Sequence, residues 1–387
     1  MQSGSHILAG VAALAAMVAC APQAYAEDWS ITGFLRQTFE AETNRRLDSN
    51  TGGAVYGSTT GVNVTVNRET KRTLTSVRAS LDGVLFTGSA DADGLDRLQP
   101  NLDVSHTYRG KTTTLTANAN ISRQSVSETQ FEDSGIVDVN ADQITGAYNI
   151  GLDWRADQRT TVNFGTTGRI VDFSRSIGSL TPTRTFGVTG RVSRQVTATT
   201  NFSVNSGFRF TESDNAQNSS SQIVDLGVGI THDRTSRHKL GANAGVSAVF
   251  SDDNLGPSDT SFGFNGGATL DYTGKTVTGS VGVSQAVDAS NTGEVSAFSR
   301  FTGTLAYSIN NLQSVNFNAA LTRRSDVDGG GDVRHFFSAG PTFSYRLTQD
   351  ASISLGYSFR LDDDEDADIE TSHRVFLTLS RNFTLLP

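Results

Sequence analysis

The sequence predicts an all-β chain that closes on itself as an antiparallel transmembrane β-barrel of about 18 strands, in the range 16–18. Three observations predict it: apolar and small polar residues alternate one by one from about residue 28 onward, connections alternate short and long, and aromatic residues gather at two levels. Residues 144–154 show the alternation cleanly. Ile144, Gly146, Tyr148, Ile150, Leu152 and Trp154 share one face, and Thr145, Ala147, Asn149, Gly151, Asp153 and Arg155 the other. A period of two puts those sets on opposite sides of a strand.

The chain has 387 residues, of which 36% are hydrophobic, 38 are Gly and 6 are Pro. After the N-terminus it shows no useful helical period and no linker-like division, and no later stretch approaches the ~20 apolar residues of a spanning helix. A barrel needs only alternate residues to meet lipid. Residues 1–26 read as a secretory signal, with an apolar run from Ile7 to Val18 and Ala24-Tyr25-Ala26 for cleavage, leaving 27–387 as the barrel. Its positive charge is limited to the amino terminus and His6. Met17-Val18-Ala19-Cys20 approximates a lipoprotein box, with Met out of place at its first position. Cleavage after Ala26 leaves a mature chain without cysteine, which suits an oxidising compartment. A formal charge of −9 disfavours nucleic acid as a partner. Acids crowd the long connections and Arg/Lys the short ones.

In chain order, the first strand runs from Trp29 to Ala41, with Trp29, Ile31, Leu35 and Phe39 outward and Thr32, Arg36 and Glu40 inward. Outward rows follow at Tyr56/Val62/Val64/Val66, Val77/Ala79/Leu81/Leu85 and Leu115/Ala117/Ala119/Ile121. Beyond 144–154 come Phe202/Val204/Phe208, Val224/Leu226/Val228/Ile230, Leu240/Ala242/Ala244/Val246/Phe250 and Phe262/Phe264/Ala268/Leu270. Val277/Val281/Val283, Phe301/Leu305/Tyr307, Val315/Phe317/Ala319/Leu321, Phe337/Ala339/Phe343/Tyr345, Ile353/Leu355/Tyr357/Phe359 and Val375/Leu377/Leu379 complete the series.

Short connections are expected at 68–72, 109–111, 155–159, 194–199, 233–238, 273–275, 309–312 and 348–350. Long, acidic ones are expected near 42–53, 88–98, 127–142, 174–184, 212–221, 251–261, 288–296, 325–333 and 362–372. An even strand number places both strand termini on the short-turn side, the periplasmic side of bacterial barrels. Trp29, Tyr108, Trp154, Phe202, Tyr272, Tyr307, Phe317 and Tyr345 lie beside short turns, and Phe39, Tyr56, Phe210, Phe250, Phe262, Phe337 and Phe359 near long loops. The outward rows between them are nearly free of charge, because one Arg or Lys at the bilayer midplane costs ~2–4 kcal/mol. A soluble β-solenoid would share the Gly, Asn, Ser and Thr content but has no reason for two turn lengths or two aromatic levels.

Over essentially its whole mature length the chain resembles bacterial outer-membrane β-barrel proteins of the porin type, through strand rhythm and loop alternation and not through a signature motif. A weaker resemblance links it to barrels associated with exopolysaccharide export. The porin resemblance implies a terminal aromatic residue read by the barrel-assembly machinery. Here Arg381-Asn382-Phe383 continues into Thr384-Leu385-Leu386-Pro387, so Phe383 stands in that place and the end of the last strand is left open. The resemblance also implies the outer membrane as location, its lipid and lipopolysaccharide as partners, and compatibility with a homo-oligomer.

Eighteen strands enclose more space than side chains fill, so a wet lumen is expected. The inward rows read as Ser, Thr, Asn, Gly and Arg. Arg36, Arg78, Arg169, Arg191, Arg209, Arg300, Arg324, Arg360 and Arg374 point inward, against Glu40, Asp82, Asp103, Asp153, Asp225 and Asp271. Charged rings set ion selectivity, and Arg favours anions, although each Arg can instead pair with an inward acid. The loop 127–142 carries Glu128, Glu132, Asp133, Asp138 and Asp142. In general porins the corresponding loop folds inward as a constriction. If it does so here, deleting 130–140 raises conductance.

Asp91–Asp96 and Asp326–Gly329 alternate oxygen ligands ahead of Gly, but Pro100 stands where an EF-hand needs its bidentate Glu, so no metal or other cofactor is expected. His106, His232, His238, His335 and His373 scatter over strand ends and turns without a catalytic signature, and no enzyme is expected. The resulting expectation is a passive channel for small hydrophilic solutes with mild anion preference. The alternatives are exopolysaccharide secretion and a non-conducting structural or adhesion barrel.

Overall fold

The computed structural model describes residues 29–45, 47, 53–88, 96–129, 141–174, 180–214, 219–252, 259–289, 295–327, 333–364 and 369–386. The signal-like segment 1–26 lies outside them. Eighteen strands follow one another: β1 (Trp29–Thr43), β2 (Ala54–Glu69), β3 (Thr73–Gly88), β4 (Arg97–Arg109), β5 (Thr113–Ser125), β6 (Asp142–Arg155), β7 (Thr160–Phe173), β8 (Thr183–Gln195) and β9 (Thr200–Ser213). The second half comprises β10 (Ser220–Thr235), β11 (His238–Asp252), β12 (Asp259–Thr273), β13 (Val277–Ala289), β14 (Val295–Ser308), β15 (Gln313–Asp326), β16 (Arg334–Arg346), β17 (Ala351–Asp364) and β18 (Glu370–Leu386). One helical turn, α1 (Val126–Thr129), follows β5.

Each strand pairs antiparallel with its chain neighbours, and β1 pairs with both β2 and β18, closing the sheet. Closure leaves no edge, which hydrocarbon requires because it offers no hydrogen bonds to unpaired backbone. The seam extends past Phe383, which faces Gly33, to Leu386 opposite Ile31, with a register shift between Ile31 and Thr32. The last strand therefore runs beyond the residue that stands in for the terminal aromatic.

The alternation holds around the cylinder. Leu35, Phe39, Val62, Ile150, Phe164, Leu226, Phe264, Phe301 and Leu355 are exposed on the outer face. So much exposed apolar surface is unsuited to water and suited to lipid.

The short turns share a local device. In six of the eight, a side chain at or just past the end of the preceding strand accepts backbone N–H groups two or three residues on: Thr70, Asp157, Thr197, Thr235, Asn310 and Thr348. These are side-chain-stapled turns, the reason such residues favour turns over strand interiors. Asp157 accepts from Arg159 at 2.6 Å and Thr160 at 2.8 Å. The Arg159 amide first, and Thr160 next, hold its carboxyl below the usual range. The other two turns begin at Gly110 and Gly274, whose N–H groups bond Thr113 and Val277 carbonyls.

One expectation needs correction. The inward rows are not uniformly polar. Val55, Val84, Val171, Ile223, Val249 and Phe336 share register rows with lumen-facing residues and are buried near the long-loop end of their strands. Along β1 the gradient is plain: Thr32 is exposed, Arg36 partly so, and Thr38, Glu40 and Glu42 are buried. The lumen is thus a packed collar at its extracellular end above an open polar wall.

Candidate lumenal site

The collar is densest at the closure seam. Glu40 and Glu42 sit two residues apart on β1, so both point inward. Glu42 accepts from Arg45 at 2.6 Å, from Ser372 at 3.0 Å, and from Arg360 of β17. Glu40 takes Arg45 at 3.0 Å and pairs with Arg374 of β18. Glu42 and Arg45 are only 3% and 5% exposed, so the centre of this network is shielded from bulk water while Arg374 at its margin stays partly exposed. Buried ions are tolerated there because each has opposite charges in contact.

Arg45, just past the end of β1, turns inward. The Arg45 guanidinium lies 4.2 Å from the centroid of the Phe86 ring on β3, and Leu47 packs on Phe336 of β16. Asn44 and Leu47 adopt left-handed φ of 46° and 47°. For Leu that conformation costs about 1–2 kcal/mol, and the burial of its side chain against Phe336 opposes the cost. Glycine makes the wall thin enough for the rings. A Cβ on Gly57 would collide with Phe86, and one on Gly356 with Phe376.

The nine arginines singled out above separate into groups. Arg36 pairs with Asp82 at 3.0 Å, and Arg209 with Asp225 at 3.5 Å and with Asp288. Arg360 and Arg374 belong to the seam network. Arg191 donates to Ser203 at 3.0 Å and Arg300 to Thr322 at 3.2 Å. Arg78 and Arg169 are exposed and make no ion pair among the described residues. Arg324, also inward, donates to Ser296 at 3.1 Å.

The inward acids are more fully engaged. Asp103 accepts from Asn101 at 2.6 Å and Asn120 at 3.2 Å, Asp153 accepts from Asn163, and Asp271 accepts from Ser280 at 2.6 Å. Asp225 also accepts from Ser247 at 2.6 Å and Asn265 at 3.1 Å. The net effect is a wall whose carboxylates are occupied and some of whose guanidiniums are not.

Of the loop residues, Glu128 falls in α1, whereas Glu132, Asp133 and Asp138 lie outside the described residues. Asp142 opens β6 and bridges Arg97 at 2.9 Å and Arg123. Val126, Ala141 and Leu180 pack together beside Phe173 at the same rim. Most of Asp91–Asp96 and Asp328–Gly329 also lie outside the described residues.

The sequence reading missed Arg45, Leu47, Phe86 and Phe336. The available signal was Glu40-x-Glu42-x-x-Arg45: two acids on one strand face, followed at once by a cation.

The sequence matches no family model and no curated protein. Solved structures do resemble it. OccAB2 of Acinetobacter baumannii superposes with a TM-score of 0.51 at 7% identity, covering 94% of this chain and 100% of that one. OccK8 (OprE) of Pseudomonas aeruginosa gives 0.50 at 8% identity, covering 94% and 100%. At such identities the likeness establishes architecture alone: this chain is a closed 18-strand antiparallel barrel with the fold of those two proteins.

Proposed function

We propose that the chain is an outer-membrane channel for passive diffusion of small hydrophilic solutes, with a mild preference for anions. The observation that carries the preference is that Arg78 and Arg169 stand exposed on inward rows without an ion pair among the described residues, while Asp82 and Asp225 are matched to an arginine and Asp103, Asp153 and Asp271 are held by neutral donors. An unpaired guanidinium on a wet wall attracts anions and offers donors in a fixed fork. The two superposed barrels carry porin-family names, which supports the channel reading. Side chains packed inward near the long-loop ends of several strands support a channel for small solutes over one for a polysaccharide chain.

The test is planar-bilayer conductance with the reversal potential measured in a salt gradient. The expected result is a conducting pore whose reversal potential has the sign of anion selectivity. A cation-selective pore overturns the arginine reading, and a barrel that stays closed overturns the channel itself.

A further inference from the structure

The outer wall carries a polar row where lipid should make one unwelcome. Gly266, Gln285, Ser299 and Arg323 stand side by side on β12, β13, β14 and β15, all outward. On the next row toward the midplane, Val283, Phe301 and Leu321 form an apolar strip. Phe264 closes the upper corner, with its ring lying over Gly266. Together these residues bound a groove of about 410 Å³.

The Arg323 side chain is exposed and makes no ion pair or hydrogen bond among the described residues; on its other side it faces His335, whose ring lies 3.9 Å from Asp363, so the nearest carboxylate of the row is two strands away. It lies three residues before the extracellular end of β15. At roughly 3.3 Å per residue, its head reaches the level of outer-leaflet headgroups. An arginine on the lipid face tends to cost energy as it nears the midplane. A guanidinium with Ser and Gln beside it, set over an apolar channel, is complementary to one chemistry: a phosphate attached to acyl chains.

A second groove supplies a contrast. Six strands away, Gly146, Ile170, Arg184 and Glu212 form the matching row on β6, β7, β8 and β9, above Tyr148, Gly168, Phe186 and Phe210. Its volume is about 440 Å³, and its walls are equally apolar and more aromatic. Here, however, an exposed carboxylate faces the arginine directly across the strand pair. That acid repels a phosphate, so shape alone does not make both grooves equivalent.

We infer that the β12–β15 groove is a binding site for a phosphorylated, acylated glycolipid of the outer leaflet, with the phosphate on Arg323 and Ser299 and one acyl chain along Val283, Phe301 and Leu321. The purified full-length barrel, folded in detergent, is mixed with a diphosphorylated multiply acylated glucosamine disaccharide or with its dephosphorylated counterpart. Retained lipid is read by native mass spectrometry. Retention of the phosphorylated lipid is expected to be at least about tenfold higher, as one charge-assisted contact implies.

Arg323→Ala is expected to erase that difference, Val283→Trp to reduce retention of both lipids, and Arg184→Ala to change neither. Unheated electrophoretic mobility confirms that each variant is folded. Equal retention of the two lipids by the unaltered protein overturns the assignment, as does undiminished preference in Arg323→Ala. Competition by inorganic phosphate as effective as that by the lipid also overturns it, since the groove would then contribute nothing.

Discussion

The lumen's seam side, from β16 through β1 to β3, and its opposite wall, β6 to β9, use the same residue type for different ends. At the seam, Arg45, Arg360 and Arg374 are locked onto Glu40 and Glu42. On the far wall, Arg169 and Arg191 are exposed; among the described residues the first makes no ion pair and the second is held by a serine hydroxyl. An arginine's presence on an inward row therefore says little by itself. What matters is whether a carboxylate stands within reach on a neighbouring strand, because pairing converts a selectivity element into a structural one.

The sharpest way to break this contrast is at its most buried acid. Glu42→Ala leaves Arg45 and Arg360 without their shared partner in a water-poor site, and a loss of about 3–5 kcal/mol is expected, read by urea unfolding in micelles. A loss under about 1 kcal/mol would mean the seam charges behave as solvated surface pairs. Arg45→Ala should act next most strongly. It frees the first loop from Phe86 and from both glutamates, so single-channel conductance should rise; unchanged conductance would remove that loop from the permeation path.

The exposed inward arginines, Arg78 on β3 together with Arg169 and Arg191 on the far wall, should respond in the other currency. The triple change Arg78→Ala, Arg169→Ala and Arg191→Ala is expected to move the reversal potential toward non-selectivity while each site shifts stability by no more than ~0.5 kcal/mol. A selective triple variant would place the preference elsewhere. The smallest effect lies outside the lumen, at the Asp157 staple. Its carboxyl is held low in the folded state, so the staple's contribution is complete above the ordinary carboxylate pKa of about 3.9 and is lost as pH falls through the lowered value. Asp157→Asn keeps an acceptor without a titrating charge, and its unfolding should show a shallower acid dependence than the unaltered protein. Identical pH profiles would show the charge to be irrelevant to the turn.

Much of the barrel was legible in the sequence because strand alternation is a local property. Ile144 through Trp154 declare their faces with no reference to the rest of the chain. The short turns were legible for the same reason, since a Thr, Asp or Asn bonding its own next amides is complete within four residues. The pairing of lumenal charges was not. Arg36 and Asp82 meet across an intervening strand at a separation of 46 residues, and Arg360 meets Glu42 at 318, across the closure. Such meetings depend on register summed around the cylinder. Ile223 and Val249 were misleading in another way: an apolar residue on an inward row looks like an exception until the collar that buries it is seen.

The seam between β1 and β18 has a consequence for how the molecule comes into being. The first strand waits for the last as its second neighbour, with more than three hundred residues spun out between them. Until that final hairpin arrives, the nascent sheet has two raw margins and no inside. Everything that depends on enclosure, the charge knot at the mouth included, can form only once those two margins meet.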